Sequence, residues 1–287
     1  MNQKYKATGI ILKGSSIKEN DRLVTILTPE YGMIRAVAPG AKKLKSSLRG
    51  RTELFVVNEL LIIKGRSLDK IIQADTQYTY PGLSRDIGKL AAAQYLAELT
   101  IFLAVDEQPQ PELYELLNEH LRRLEKFPVG ESVYPYLAQG VFHLIAIAGL
   151  SPQVFDCCLT QQLITPDLTS AQWRVGFSFE AGGIVDLRML KPEQNRKTGE
   201  HDDHSENYNS RLPKIDHRVN SLELSLLQQL NHHQLPPAAK FTAEQLNNFD
   251  LHTAWIRVER ILREYIQYHI GRTIRSANLV DNLYVEF

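Results

Sequence analysis

The chain of 287 residues is 43% hydrophobic and 23% charged, with 33 Lys and Arg residues against 33 Asp and Glu residues. These proportions are ordinary for a globular protein, and the length is sufficient for two domains. The two cysteines, Cys157 and Cys158, are adjacent, which argues against a disulfide framework and agrees with the reducing cytoplasm. The longest apolar run, 137–150, is too short to cross a bilayer, and the N-terminus lacks a signal-peptide pattern.

Charge is distributed unevenly along this neutral chain. Residues 1–80 contain 14 Lys and Arg residues against 7 Asp and Glu residues, whereas acidic residues are in excess from residue 81 onward. A basic N-terminal part on a mildly acidic body predicts an anionic partner for the N-terminal part.

Residues 1–80 are predicted to form a β-domain. Runs rich in Val, Ile, Leu and Thr are bounded by Gly, Pro, Asn or Asp: KATGIIL, RLVTILT, MIRAVA, ELFVVNELLIIKG and LDKIIQAD. Five short strands in so few residues favour a small closed barrel, because an open sheet would need another layer to cover it. The Pro and Gly of the connection Thr28–Met33 are typical of a tight hairpin.

From Pro81 onward the apolar residues recur every three or four positions, which predicts a helical domain over 81–287. Ser84 is the predicted N-cap of its first helix. Residues 151–190 are irregular in pattern, and residues 191–217 are so polar that a disordered loop is predicted. The C-terminal helices fall within 218–287, where Gly271 is a predicted C-cap.

A basic connection follows the third predicted strand, and no Asp or Glu occurs between Tyr31 and Thr52. Its cations alternate with Gly and Ser, so that the backbone can approach a phosphate chain. Such residues predict sequence-independent binding of nucleic acid, although a solvated surface loop would show the same pattern. The predicted DNA-binding residues are Arg35, Lys42, Lys43, Lys45, Arg49 and Arg51, extended by Lys13 and Arg22.

Motifs for catalysis are missing from the sequence. We find no GxSxG, P-loop, Rossmann glycine fingerprint or HExxH, so no catalytic residues are predicted and the protein is predicted not to be an enzyme. A hydrolase on an unfamiliar fold stays open as an alternative. The contiguous cysteines and the absence of any CxxC predict no metal site, because structural zinc needs about four ligands in spaced pairs.

Three stretches of the chain resemble the RecO family of bacterial recombination and repair proteins. The stretch ATGIILKGSSIKENDRLVTILTPEYGMIRAVAPGAKKLKSSLRGRTELF carries the family's N-terminal pattern, and FHLIAIAGLSPQVFDCC is similar to the segment that leads into its zinc region. ILREYIQYHIGRTIRSANLV is similar to its closing helix and tail. The matching positions are Asp21, Leu23, Thr28, Gly32, Gly40, Lys42, Lys43, Ser46, Leu48, Arg49, His269, Gly271, Arg272 and Ser276.

This resemblance implies an α+β protein with a five-stranded OB-fold barrel (1–80) followed by an α-helical domain (81–287). It also implies a non-enzymatic mediator of DNA repair and recombination in the RecF pathway, cytoplasmic and associated with the nucleoid. Such proteins bind single- and double-stranded DNA, anneal complementary strands and, with RecR, help to load RecA onto DNA coated by single-strand-binding protein (SSB).

The resemblance further implies contact with the acidic C-terminal tail of SSB, for which Arg122, Arg123 and Arg257 are the predicted residues. No membrane partner is predicted. Two rival functions remain open at this point. One is an OB-fold protein that binds RNA, since RNA and DNA share the phosphate contacts. The other is an adaptor whose basic connection meets an acidic protein.

The cysteine pattern departs from the family, many members of which carry two CxxC pairs. Here Thr160 and Gln161 occupy the region of the partner of the first cysteine, and Ile184–Leu190 contains no cysteine. We therefore predict that the ancestral zinc site is lost and that no cofactor is bound. The degenerate zinc-finger-like segment 151–190 is predicted to be held by packing around Trp173, Phe177 and Phe179.

Overall fold

The computed structural model describes residues 3–128, 130–190, 212–235 and 250–282. They belong to two compact units, one formed by residues 1–150 with 270–287 and the other by residues 151–269. The predicted α+β class is confirmed. The predicted domain bounds, 1–80 and 81–287, remain a prediction.

The first unit contains a closed five-stranded barrel. Its strands are β1 (Lys4–Ser16), β2 (Arg22–Thr28), β3 (Gly32–Ala38), β4 (Val57–Ile63) and β5 (Asp69–Tyr78). They follow one another around the barrel in the order β1-β2-β3-β5-β4, with β1 antiparallel to both β2 and β4 and β3 parallel to β5. The closed barrel predicted from the strand pattern is confirmed, and it is OB-like, as the family resemblance implied.

Alternation along the strands explains the core of the barrel. Val24 and Ile26 of β2 point into the same buried cluster as Leu60 and Ile62 of β4, because residues two apart share one face of a strand. The predicted hairpin between β2 and β3 is also present. Gly32 has a φ of +61° there, a left-handed conformation that glycine adopts without steric cost.

Helices complete the first unit. They are α1 (Ile87–Leu103), α2 (Pro111–Lys126) and α3 (Tyr134–Ile147), which precede the second unit in the chain. The N-cap of α1 is Asp86, whose carboxylate accepts the Lys89 N–H at 3.0 Å, so the prediction of Ser84 was wrong. Ser84 lies in a short 3-10 turn, Leu83–Arg85, and α1 begins after it, at Ile87. The buried ammonium of Lys89 donates to the carbonyl of Phe127 at 2.6 Å and thereby holds the end of α2.

In its described residues, the second unit contains a three-stranded antiparallel sheet and two α-helices. The elements are β6 (Arg174–Ser178), β7 (Gly183–Val185), β8 (His217–Asn220), α4 (Ser221–Gln229) and α5 (Leu251–Ile270). The ring of Phe177 is fully buried and lies edge-on to that of Tyr265 at 5.8 Å, and Phe179 packs against the same ring. Trp173, predicted to share in this packing, is only half-buried.

Residues 191–211 of the predicted disordered loop lie outside the described residues. Its last residues, 212–217, are described, and His217 pairs with Phe177 in the sheet. At the end of α5, Gly271 has a φ of +63°, as expected for the predicted C-cap. The chain then forms α6 (Ala277–Asp281), before which the Ser276 hydroxyl donates to Glu98 of α1 at 2.6 Å. Over the ranges that the structure covers, no helix is both long and apolar enough to cross a membrane.

Candidate nucleic-acid interface

The connection between β3 and β4, residues 39–56, is the basic loop, and its backbone folds as a series of tight turns. Backbone N–H groups donate to carbonyls three residues earlier: Lys43 to Gly40 (3.0 Å), Ser46 to Lys43 (3.1 Å) and Arg49 to Ser46 (3.2 Å). Because these hydrogen bonds are local, the basic loop satisfies much of its own backbone without joining the sheet.

Two apolar side chains anchor the basic loop in the barrel. Ala41 and Leu48 are 0% and 7% exposed and belong to the same buried cluster as Ile26 and Ile34. Leu44, which lies between the two anchors in the sequence, is 84% exposed. Burial of a leucine side chain contributes about 1.5–3 kcal/mol. The core of the barrel therefore helps to fix the position of the basic loop.

A second anchor comes from the connection between β1 and β2. The Asp21 carboxylate accepts the Gly40 N–H at 2.8 Å, and the carbonyl of Asn20 accepts the Lys42 N–H at 3.0 Å. Gly40 has a φ of +65°, which lets the chain turn sharply at the start of the basic loop. The sequence placed Asp21 only in the family pattern and gave no sign of this hydrogen bond.

The anchored backbone presents cations to solvent. Lys42, Lys43, Lys45 and Arg49 are all exposed, and in the described ranges none of them has a carboxylate within ion-pair distance. Their charge is therefore available to an external anion. Because the backbone of the basic loop is anchored, less backbone entropy is lost when such an anion binds.

Lys13 and Arg35 lie together on the outer face of the barrel. Thr25 of β2 pairs with Lys13 of β1 on one side and with Arg35 of β3 on the other, so the three residues form one row across the sheet. Both cations are exposed. In the sequence, Lys13 and Arg35 could be grouped with the basic loop only by their charge. The fold places them in one row of the sheet.

Arg22 and Arg51, also predicted to bind DNA, have partners within the protein. The Arg22 guanidinium donates to the Thr52 carbonyl at 3.0 Å and forms an ion pair with Glu53 at 2.8 Å. Arg51 lies 3.7 Å from a carboxylate oxygen of Asp75 on β5. These two arginines contribute to the local structure, and their charges are partly neutralised.

Among the aromatic residues of the first 80 positions, Tyr31 and Tyr78 are 38% and 43% exposed. Phe55 and Tyr80 are buried, and the hydroxyl of Tyr5 donates to Asp69 while its ring lies edge-on to that of Tyr31 at 5.0 Å. Burial, followed by the hydrogen bond to Asp69, raises the pKa of Tyr5 well above its usual range. Exposed cations therefore outnumber exposed rings in this part of the chain, so charge is the main feature of the surface.

The three arginines predicted to bind the SSB tail are divided between the two units. Arg122 and Arg123 lie on α2 beside Glu119, and Arg123 also donates to Gln139 at 2.9 Å. Arg257 lies on α5 in the second unit, where its guanidinium is hydrogen-bonded to the carboxylate of the buried Glu223.

Cys157, which the family resemblance places at the zinc region, lies in a small network of hydrogen bonds. The Asp186 N–H donates to the Cys157 sulfur at 3.4 Å, and Asp186 itself pairs with Arg188 at 2.6 Å. Burial raises the pKa of the Cys157 thiol, but hydrogen bonds from the Asp186 N–H and the Thr160 hydroxyl outweigh it and leave the pKa below its ordinary value. Within the described residues no three His, Cys, Asp or Glu side chains are grouped to hold a metal ion.

Comparison with known proteins matches the whole length of the chain. The family model described as Recombination protein O N terminal matches residues 1–80, and the one described as Recombination protein O C terminal matches residues 84–278. A DNA repair protein RecO of Gloeothece citriformis is 56% identical over 283 residues, which cover 99% of this chain and 98% of that protein. Proteins of the same name from Nostoc sp. and Synechocystis sp. are 53% and 47% identical, each over 99% of this chain and 97% and 98% of their own length.

Proposed function

Because the chain belongs to the RecO family of DNA repair proteins, we propose that its basic loop binds the phosphate backbone of DNA without reading sequence. The observation that carries this proposal is the set of four exposed cations on a loop anchored to an OB-like barrel: Lys42, Lys43, Lys45 and Arg49. Lys13 and Arg35 continue the surface across β1 and β3. Arg22 and Arg51 support it at the end of the basic loop.

Binding of this kind suits both single- and double-stranded DNA, since phosphate groups are common to both. It also suits annealing of complementary strands. Two strands repel each other through their phosphates, and cations held on one protein offset that repulsion while bases find their partners. No step in this account makes or breaks a covalent bond, so the proposed role is that of a non-enzymatic mediator.

The proposed partners follow from the family. With RecR, the protein would help to load RecA onto DNA coated by SSB, in the cytoplasm and at the nucleoid. For the acidic tail of SSB, we keep Arg122 and Arg123 as the proposed contacts; Arg257, the third residue predicted from the sequence, lies in the other unit and binds Glu223. Of the three arginines, Arg122 has the weakest contacts within the protein, since its guanidinium lies 3.6 Å from Glu119 and its side chain is 43% exposed.

Binding of a fluorescent single-stranded oligonucleotide across a salt series tests the proposal. The natural protein is compared with Lys42→Glu/Lys43→Glu/Lys45→Glu/Arg49→Glu. If all four cations contact phosphates, the variant binds far more weakly and the slope of log affinity against log salt becomes shallower by about 3, at about 0.7 per contact. An RNA oligonucleotide of the same sequence, used as competitor, distinguishes DNA from RNA binding.

A second variant with the same change in net charge is the control. Lys4→Glu/Lys70→Glu/Lys126→Glu/Arg275→Glu replaces exposed cations outside the basic loop. If this variant shows the same loss of affinity and the same change in the salt slope as the first, the effect arises from overall charge and the proposal fails. It also fails if the first variant binds like the natural protein, because the DNA site must then lie elsewhere.

A further inference from the structure

Three arginines converge on a pocket of about 470 Å³ within the unit formed by residues 151–269. Arg174 begins β6, Arg218 lies in β8, and Arg257 lies in the second turn of α5. All three side chains are exposed. They are far apart in the sequence, so only the fold of this unit brings them to one place.

The register of the sheet explains why Arg174 and Arg218 are neighbours. Arg174 pairs with Asn220 and Gly176 pairs with Arg218, so the two arginines are diagonal neighbours on one face of β6 and β8. Diagonal residues of an antiparallel pair are about 7–8 Å apart, within reach of long side chains. Gly176, opposite Arg218, offers no side chain that could neutralise it.

Two carboxylates also line the pocket, and each is engaged by the protein. Glu223 is 2% exposed, binds the Arg257 guanidinium and accepts the Asn220 N–H at 2.9 Å. Asp250 accepts the N–H of Thr253 at 2.9 Å at the start of α5. Glu223 neutralises Arg257 and Asp250 remains an anion, so three arginines against two carboxylates leave the lining with a formal net charge of +1.

Arg174 and Arg218 keep their charge. Arg174 donates to the carbonyls of Ala171 (2.8 Å) and Trp173 (2.7 Å), which orient the guanidinium but carry no net charge. In the part of the chain that the structure describes, neither arginine has a carboxylate within ion-pair distance. Two like charges side by side repel each other, and an anion bound between them would relieve that repulsion.

The lining also indicates the class of anion. Its apolar side chains are those of Ala171 and Ala254, so among the described residues the pocket has no apolar wall for a large peptide side chain. An acidic peptide would be held by its carboxylates alone. Arginine presents its donors in a planar fork that matches the oxygens of a phosphate group. A nucleic-acid backbone supplies such groups without requiring apolar contacts.

We propose that this pocket, formed by Arg174, Arg218 and Arg257, binds a backbone phosphate of a second nucleic-acid strand while the basic loop holds the first. The inference rests on the proposed function, because it needs a first strand on the basic loop. It adds a separate site on the other compact unit. One protein molecule then holds two strands, as annealing requires.

The test uses the full-length protein and two non-complementary 30-nucleotide DNA strands, one carrying a donor dye and one an acceptor dye. Energy transfer reports two strands on one protein, and anisotropy of a single strand reports the first binding event. For Arg174→Ala/Arg218→Ala we expect energy transfer to fall at least fivefold and affinity for the first strand to change less than twofold. Arg260→Ala, an exposed arginine one turn further along α5, should behave like the natural protein.

Arg257 is left unchanged in the test variant, because its removal would strand the buried carboxylate of Glu223 and destabilise the unit. Arg174→Lys/Arg218→Lys keeps both charges but loses the planar fork, so it should recover only part of the energy transfer that the alanine variant loses. If the lysine variant recovers none of it while its thermal unfolding matches the natural protein, charge contributes nothing to the site and the proposal is overturned.

The remaining outcomes separate this inference from the proposed function. If the alanine variant keeps full energy transfer, the pocket does not hold a strand, whatever the basic loop does. If it keeps energy transfer but loses binding of a fluorescent hexaglutamate peptide, the pocket takes carboxylates and the phosphate assignment is wrong. If the basic-loop variant still binds a single strand and the pocket variant does not, the proposed function of the loop fails while the pocket stands as a DNA site.

Discussion

The guanidinium of Arg22 donates to the carbonyl oxygen of Thr52 at 3.0 Å, which joins the first residue of β2 to the end of the basic loop. An arginine predicted from sequence to contact DNA thus has a partner inside the protein. Its side chain is 23% exposed. We infer that Arg22 holds the basic loop in place and that the exposed cations of that loop bind DNA.

Arg22→Ala should therefore affect stability more than the salt dependence of DNA binding. Loss of its charged hydrogen bond is expected to lower the free energy of unfolding by about 1–2 kcal/mol. Lys43→Ala is the matched comparison, because Lys43 is exposed and has no ion-pair partner among the described residues. It should leave stability within about 0.5 kcal/mol and reduce the salt slope by about 0.7. If Arg22→Ala reduces the salt slope of DNA binding as much as Lys43→Ala does, Arg22 contacts DNA and the inference is wrong.

The hydrogen bond from Gly40 to Asp21 gives a second prediction. Asp21→Ala removes the acceptor, so the start of the basic loop loses an anchor and the affinity for single-stranded DNA should fall several-fold. Asp21→Asn keeps an oxygen in the same position and should retain most of the affinity. Titration of both variants with the same oligonucleotide checks this, and equal losses in the two would show that the charge of Asp21, not its hydrogen bond, matters.

The leucines of the basic loop should differ sharply in their effect on stability. Leu48→Ala opens a cavity in the cluster around the barrel core and is expected to cost about 2–4 kcal/mol. Leu44→Ala, at a position that is 84% exposed, should change the free energy of unfolding by less than about 0.5 kcal/mol. Urea unfolding measures both, and a Leu44 effect as large as that of Leu48 would contradict the described anchoring.

Metal content provides a direct check on the segment around Cys157. Because the described residues bring no three His, Cys, Asp or Glu side chains together and the chain has only two, adjacent cysteines, we expect purified protein to contain far less than one zinc per chain. Treatment with a chelator should leave the unfolding temperature unchanged, since structural zinc would otherwise contribute to folding directly. One zinc per chain by elemental analysis would refute this prediction.

Alkaline pH should reveal the buried Tyr265. Burial raises its pKa to about 12 in the folded protein, above the ordinary value of about 10. The unfolded chain therefore loses the phenolic proton first, and stability that is fully present below pH 10 is lost as the pH rises towards 12. By linkage this residue accounts for about 2–3 kcal/mol of that loss.

Tyr265→Phe cannot ionise, so its free energy of unfolding should fall less between pH 9 and 11.5 than that of the natural protein. Tyr268→Phe is the matched control, since its ring on the same helix is 56% exposed. Urea unfolding at several pH values measures the difference. A Tyr265→Phe variant with the same alkaline profile as the natural protein would rule out this contribution.

The sequence by itself determined the elements of the first unit and the location of the cations. Runs rich in Val, Ile, Leu and Thr between turn residues predicted the five strands of the barrel, and the period of three to four predicted the helices, because both patterns arise from local backbone geometry. The strands β6, β7 and β8 were not predicted, since they are short and lie in a segment without a clear pattern. The basic loop could also be identified from the sequence, because its cations lie within a few residues of one another. Even the N-cap error, Ser84 in place of Asp86, lay within two residues of the true helix start.

Only the tertiary structure decided which charges are available. Arg22 contacts Thr52, 30 residues later in the basic loop, and Arg51 contacts Asp75 on β5, whereas Lys42, Lys43, Lys45 and Arg49 contact no acid among the described residues. The row of Lys13 with Arg35 and the convergence of three arginines in the second unit likewise depend on register and packing. A charged side chain finds its partner through space, and that partner is often far away in the chain, so composition and periodicity cannot identify it.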